Sequence, residues 1–370
     1  MNNVHGIVYA YHSFSDLGEL GQHRTGASLP FCGRYRLIDF ALSSMTHAGI
    51  HDVGVIMQRG YQSLMDHIGT GRSWNMSRQL AGLRQLTPYG LSDSRIGTYE
   101  GTMEALSNVR SYLESIKQEY VLITRGDLCA SIDMEALIEQ HITSGCDITA
   151  ACSDYVPATV HHRFIVGDDG HAEQLLCRQT DGSRGVTALE TYITSKKRLL
   201  QLVDWCAENR RVHFHRDAMM HLLDEGWSVG IYMHVGYARH IVSIADYYDG
   251  NMDMLESENR ASLFLPDRDV LTRSRSDVST YYGDKAHVTN SIVADGCIIE
   301  GSVENCVLFR GVKVGADCHL KNCIILDDTV IGPQTELSYV ISDKGSEIDS
   351  LVTLHGNRKL PIVIPKASRI

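Results

Sequence analysis

Short apolar runs alternate with longer amphipathic stretches over the first two thirds of the chain. The runs at residues 6–10, 53–57, 120–124, 148–152 and 229–235 have the length and content of strands. Helical patterns such as 38–48 and 102–116 lie between the first and third of them. Strands separated by helix-length segments predict βαβ units and a mostly parallel, Rossmann-like sheet. Ligands of such sheets bind beyond the carboxyl ends of the strands. The loops after Ala10, Thr124 and Val235 are therefore the first places to look for chemistry.

The texture changes further on. Residues 251–258 look helical, and Leu265-Pro266-Asp267 then breaks the pattern, so 251–285 is expected to be a linker. From residue 286 aliphatic positions recur at close spacing with Gly, Asp, Asn and Ser between them. Two six-residue units stand out, Val314-Gly-Ala-Asp-Cys-His and Ile331-Gly-Pro-Gln-Thr-Glu, followed in phase by Leu320 and Leu337. A six-residue period with Gly after the aliphatic predicts a parallel β-helix whose coils stack their aliphatics inward. The expected organisation is a domain at 1–250, a linker at 251–285 and a β-helix at 286–370. An exposed end coil is a natural docking surface, which predicts an oligomer.

Composition narrows the function classes. Of 370 residues, 43% are hydrophobic, enough for one large or two ordinary cores. There are 34 Lys+Arg against 45 Asp+Glu, a net charge of −11. That balance argues against non-specific binding to nucleic acid or to an anionic membrane. No apolar run approaches the roughly 18–20 residues of a membrane span, and the first residues lack a basic segment followed by a long apolar core. The ten cysteines are scattered without a CxxC pair, which predicts buried reduced thiols. A cytoplasmic protein is expected.

Three segments offer chemistry. The loop after the first strand has Gly18 and Gly21, but Tyr11, His12 and Phe14 are bulky and Asp16 and Glu19 are acidic. Such a loop suits a triphosphate poorly. Asp127, in Thr124-Arg-Gly-Asp127, ends an apolar strand where a carboxylate can hold Mg²⁺, or can simply close a turn. Arg24, Arg34 and Arg36 form a basic cluster suited to phosphate or to ordinary surface charge, with Asp39 as a local partner. His161-His162 and His213-Phe-His215 invite a metal reading. Adjacent histidines on a strand point apart; His213 and His215 could share one face of a strand, but no third ligand is visible, and no tightly bound metal is expected.

The segment Pro30-Phe31-Cys32-Gly33-Arg34-Tyr35-Arg36-Leu37-Ile38-Asp39-Phe40-Ala41-Leu42-Ser43 resembles the PFGGKYRIIDFxLSN of ADP-glucose pyrophosphorylases. Tyr99-Glu-Gly-Thr-Met-Glu-Ala105 is similar to the family's YRGTADA, and Thr124-Arg-Gly-Asp127 to its LAGDH. The resemblance covers almost the whole chain. It implies a nucleotidyltransferase domain followed by a left-handed β-helix. The implied family activity is transfer of AMP from ATP to glucose 1-phosphate, giving ADP-glucose and pyrophosphate for glycogen synthesis.

The same resemblance implies that much of the machinery has been replaced. The family's nucleotide loop GGRGTRL falls on Tyr11, His12, Ser13, Phe14, Ser15, Asp16 and Leu17, with Asp16 where an arginine should hold the triphosphate. Arg24 is kept, but Gly26 and Ala27 stand for the following Lys-Pro. Asp127 matches the first metal-binding aspartate, and His240 falls on the second. Arg178 falls on the lysine of the sugar-phosphate motif EKP, with Gly101 and Thr102 also at that subsite. Arg24 and Arg36 match positions for an anionic effector. Nucleotidyl transfer depends on cations that neutralise developing charge, and losing one such arginine costs roughly 10³-fold or more. The resemblance thus implies a regulatory, catalytically impaired subunit. It would pair with a GlgC-type catalytic subunit, as a heterotetramer, and respond to a sugar phosphate or phosphate. No cofactor is expected for the chain alone, and Mg²⁺ only if it is active. A divergent active adenylyltransferase and an unrelated sugar-phosphate-sensing or structural protein are the alternatives.

Overall fold

The computed structural model describes residues 3–10, 17–58, 60–77, 82–87, 99–156, 161–179 and 184–370. Its contacts sort the chain into two units. One comprises Met1–Tyr11, Ile38–His240 and Leu265–Leu271; the other comprises His12–Leu37, Ile241–Phe264 and Thr272–Ile370. The division does not follow a single cut near residue 250. The segment carrying the PFCGRYR motif groups with the C-terminal half.

The first unit is built on a nine-stranded sheet. Its strands are β1 (Val4–Ala10), β2 (Val53–Met57), β3 (Leu83–Leu86), β4 (Tyr120–Arg125), β6 (Ile148–Ser153), β7 (His161–Val166), β8 (Ala172–Gln179), β9 (Val186–Ser195) and β10 (Val229–Met233). A two-stranded pair beside it joins β5 (Leu128–Ala130) to β11 (Ala238–His240). The strands β3-β2-β1-β4 are mutually parallel, as the alternation of strands and helices predicts. β1 and β2 are buried on both faces, so they appear in sequence as largely apolar runs; every residue of both is buried, whereas the edge strand β3, Leu-Arg-Gln-Leu, is only partly buried. The expected helix at 102–116 is two, Thr102–Asn108 and Arg110–Ser115. Beyond β4 the sheet turns antiparallel. β9 runs antiparallel to β4, β6 and β7, and its register shifts between Ala188 and Thr191. That bulge sets Glu190 in the left-handed region at φ 54°, which re-aims a side chain that regular pleating would place elsewhere.

In the second unit, helices at Ile244–Asp253 and Ser257–Leu263 occupy much of the expected linker. The left-handed parallel β-helix follows, beginning at Tyr281 rather than 286. Three five-stranded sheets form its sides. Val303, Leu320, Leu337 and Leu354 stack in register along one side, and Ile299, Val314, Ile331 and Ile348 along another. The glycines after Val314 and Ile331 admit the next coil. A Cβ on Gly315 would stand 2.8 Å from the Pro333 nitrogen, and one on Gly332 2.6 Å from that of Ser350. All ten cysteines are free and nine are buried, in line with packed thiols rather than a disulfide framework. Among the described residues no helix is long and apolar enough to cross a membrane.

Candidate active site

β4 delivers Asp127 to the carboxyl edge of the sheet, and β5 and β11 bring the second expected position alongside. His240 pairs in register with Leu128, the residue after Asp127. The two positions that sequence placed at one metal site do share one place in the fold. Asp127 is held by a guanidinium. Arg125 donates from Nε to Asp127 Oδ1 at 2.7 Å and from Nη2 to Oδ2 at 3.0 Å, while Nη1 reaches Glu190 Oε1 at 2.8 Å. The Tyr9 hydroxyl donates to Glu190 Oε2 at 2.8 Å. His240 Nε2 lies 3.2 Å from the Ala188 carbonyl oxygen.

Burial sharpens these charges. Arg125 and Asp127 are 6% and 5% exposed and Glu190 17%. Burial pushes the Glu190 carboxyl up, but Arg125 together with His215, His240 and His162 outweighs it and holds the group well below the usual carboxylate range. Burial opposes the Arg125 charge and the two carboxylates restore it, so the guanidinium stays protonated. Burial, helped by Arg125, pushes His240 down to about 4. It pushes His215 down to about 3 and lowers His162 as well. The Tyr9 and Tyr192 hydroxyls are raised well above their ordinary value, by burial and then by Glu190. Near neutral pH the imidazoles are uncharged and the carboxylate and guanidinium are charged.

Mg²⁺ prefers several oxygen ligands in near-octahedral order. These residues present one carboxylate already gripped on both oxygens by Arg125, and an imidazole in the second place. They do not fit that ion. The family segment LAGDH has alanine where Arg125 stands. That basic residue, two before the aspartate, was the available signal for the ion pair. Glu190 was signalled only by a lone charge within an otherwise apolar strand, Val186–Ser195.

The other candidate residues scatter. Tyr11, His12, Ser13, Phe14, Ser15 and Asp16 lie outside the described residues. Arg178 is exposed on β8, at φ 54° beside a register shift. Gly101 precedes the helix Thr102–Asn108, and a Cβ there would overlap the Val212 carbonyl, so its glycine meets a packing need; Thr102 is half-buried. Arg24, expected at an effector site, is 3% exposed and donates from Nη2 to both oxygens of Asp343 at 2.8 and 2.9 Å. Its Nη1 is buried without a hydrogen-bond partner. Arg36 and Arg24 both act on Lys344. Burial lowers that amine, Asp327 raises it, and the arginines lower it further. Lys344 joins this basic cluster without having been noticed in the sequence. Asp39 is buried, 2.5 Å from His67 Nε2. His215 is not on a strand with His213 but in a π-helix, Phe214–Met219.

A nucleotidyl transferase family model matches residues 17–164, and a GlmU-like C-terminal hexapeptide model matches residues 277–358. The chain is 30% identical to the glycogen biosynthesis protein GlgD of Bacillus subtilis, over 99% of this chain and 96% of that one. It is 31% identical to a glucose-1-phosphate adenylyltransferase of Clostridium botulinum, over 85% and 81% of the two chains. It is 29% identical to the corresponding Bacillus cereus enzyme, over 90% and 89%. With the two domain types in the order that the fold displays, and similarity along nearly the whole length, the chain belongs to the glucose-1-phosphate adenylyltransferase and GlgD family of glycogen biosynthesis.

Proposed function

We propose that this chain is a regulatory, catalytically impaired subunit of ADP-glucose pyrophosphorylase that works with a GlgC-type catalytic subunit, as a heterotetramer. The supporting observation is the Arg125 guanidinium clasping both oxygens of Asp127 and tied on its far side to Glu190. A divalent ion at such a site would bring two charges to bear on moving phosphate oxygens. A tethered guanidinium brings one, already spent on two carboxylates. His240 adds no anionic oxygen. Pyrophosphate release from ATP and glucose 1-phosphate is the direct test. The chain alone should give none above background, and should raise the rate of its catalytic partner or change that partner's effector response. Turnover by the chain alone, at a rate comparable to that of a catalytic subunit, would overturn the proposal.

The regulatory half of the proposal rests on the second unit. Arg36, Lys344 and the open Nη1 of Arg24 offer cationic donors to a sugar phosphate or to phosphate. Arg24 is buried against Asp343 whereas Arg36 is half-buried, so Arg36 is the more accessible handle. Calorimetric titration with fructose bisphosphate or phosphate should show binding that Arg36→Ala weakens. Equal binding by both proteins would remove the effector from this place.

A further inference from the structure

We propose that His162, His215 and Glu190 form a binding site for a divalent cation of the zinc class, separate from the Asp127–His240 position. One ligand atom from each of the three lies within 4.8 Å of the others. Nitrogen and oxygen ligands sit about 2.0–2.2 Å from such an ion, so a small inward closure brings all three to bonding distance. The residues come from three separate elements: His162 from β7, Glu190 from the bulge in β9, His215 from the π-helix Phe214–Met219. Two of the three therefore sit on irregular backbone. A non-glycine residue in the left-handed region and a π-turn are both conformations that persist where the surroundings enforce them, often at functional sites.

The polar groups are arranged as a cation would require. The His162 and His215 rings stack with centroids 4.1 Å apart and planes 12° from parallel. His162 Nδ1 is buried with no hydrogen-bond partner. His215 is held at Nε2 by the Tyr192 hydroxyl; tethering one ring nitrogen while the other ligates is the usual arrangement around a metal-bound imidazole. Glu190 keeps lone pairs beyond those used by Arg125 and Tyr9, since a carboxylate offers about four acceptor sites. Asp127 and Glu190 share the single Arg125 guanidinium, which leaves one carboxylate charge for an added cation to offset. Two imidazoles with a carboxylate suit zinc, iron(II), cobalt or nickel and not magnesium.

The test uses the full chain, stripped of metal by chelator and dialysis. Titration calorimetry with Zn²⁺ should find one site per chain. Co²⁺ substitution should give visible ligand-field bands without a thiolate charge-transfer band. His215→Ala and the near-isosteric Glu190→Gln should each weaken Zn²⁺ binding by at least ~10²-fold, more than the loss of an outer-sphere partner produces. His355→Ala, an exposed histidine on the β-helix, should bind as the unaltered chain does. Circular dichroism confirms that each variant is folded, and His162→Gln replaces any that is not. Absence of Zn²⁺ binding below about 100 µM, affinity unchanged in the folded variants, or a cysteine-to-cobalt band would each overturn the proposal.

Discussion

Arg24 and Asp343 are 319 residues apart in the chain, and both are almost wholly buried. Removing one partner of such a pair strands a charge and costs about 3–5 kcal/mol, whereas replacing both with apolar groups is often tolerated. Arg24→Met and Asp343→Asn should each lower the unfolding free energy measured in urea by an amount in that range, and Arg24→Met/Asp343→Leu should recover most of it. Single variants within 0.5 kcal/mol (an ordinary surface effect) would mean that the pair is solvated. Two histidines make a second residue-scale case. Burial pushes His5 and His141 down to about 4, against an ordinary 6.5. Asp52 and Asp147 respectively pull the other way, and Arg84 adds to the effect on His5. His5 Nε2 is 2.8 Å from the Tyr112 hydroxyl, and His141 Nδ1 2.8 Å from that of Thr149. Between pH 6.5 and 4 the unfolded chain takes up protons that the folded one refuses. The stabilisation is therefore complete above pH 6.5 and is lost as pH falls toward 4. Between pH 7 and pH 5 each imidazole accounts for about 2 kcal/mol of lost stability. His141→Gln should shrink the pH 7 to pH 5 difference in unfolding free energy by about that much; an unchanged difference would show that His141 protonates freely in the fold.

At the scale of elements, the β-helix makes a sharp prediction because its coils leave no room. Gly332→Ala places a methyl group 2.6 Å from the backbone nitrogen of Ser350, so a neighbouring coil must move. Gly283→Ala meets nothing nearer than 3.4 Å, the Glu300 side chain. The first should cost roughly 1–3 kcal/mol, as overpacking does, and the second well under 1; calorimetric melting curves rank them, and equal shifts would contradict the coil spacing. The same contrast explains what could be seen in the sequence. The aliphatic–glycine period and the buried runs of β1, β2, β4 and β6 follow directly from which residues face a core, so pattern alone exposes them. β7 and β8 show no clean alternation of burial, and the bulge that aims Glu190 has no composition of its own. The π-helix looks like any short helix until His215 is seen beside His162. Asp127 and His240 were legible through their motifs. The direction of the Arg125 side chain was not, because it depends on Glu190, brought alongside by a strand that the pattern did not reveal.

On the scale of the whole molecule, a retained scaffold with an altered crevice separates two jobs that an active subunit performs together. The sheet and the β-helix persist with the glycines and apolar ladders they require. At the sheet's carboxyl edge the Arg125 guanidinium is committed to Asp127 and Glu190 rather than to a ligand's phosphate. On the proposed function this chain contributes through assembly, so its effect must vanish with the partner's chemistry. In a complex co-expressed with a GlgC-type subunit, replacing only that partner's metal-binding aspartate with asparagine should abolish essentially all pyrophosphate release, by the ~10³-fold or more that follows when charge stabilisation of a transferring phosphoryl group is lost. This chain stays unaltered in the experiment, so assembly, folding and effector binding on its side are undisturbed. Native mass measurement of the same preparation confirms that both chains are present. Turnover that survives at more than a few per cent, in a complex verified to be intact, would locate a working active site in this chain and end the case for a silent crevice.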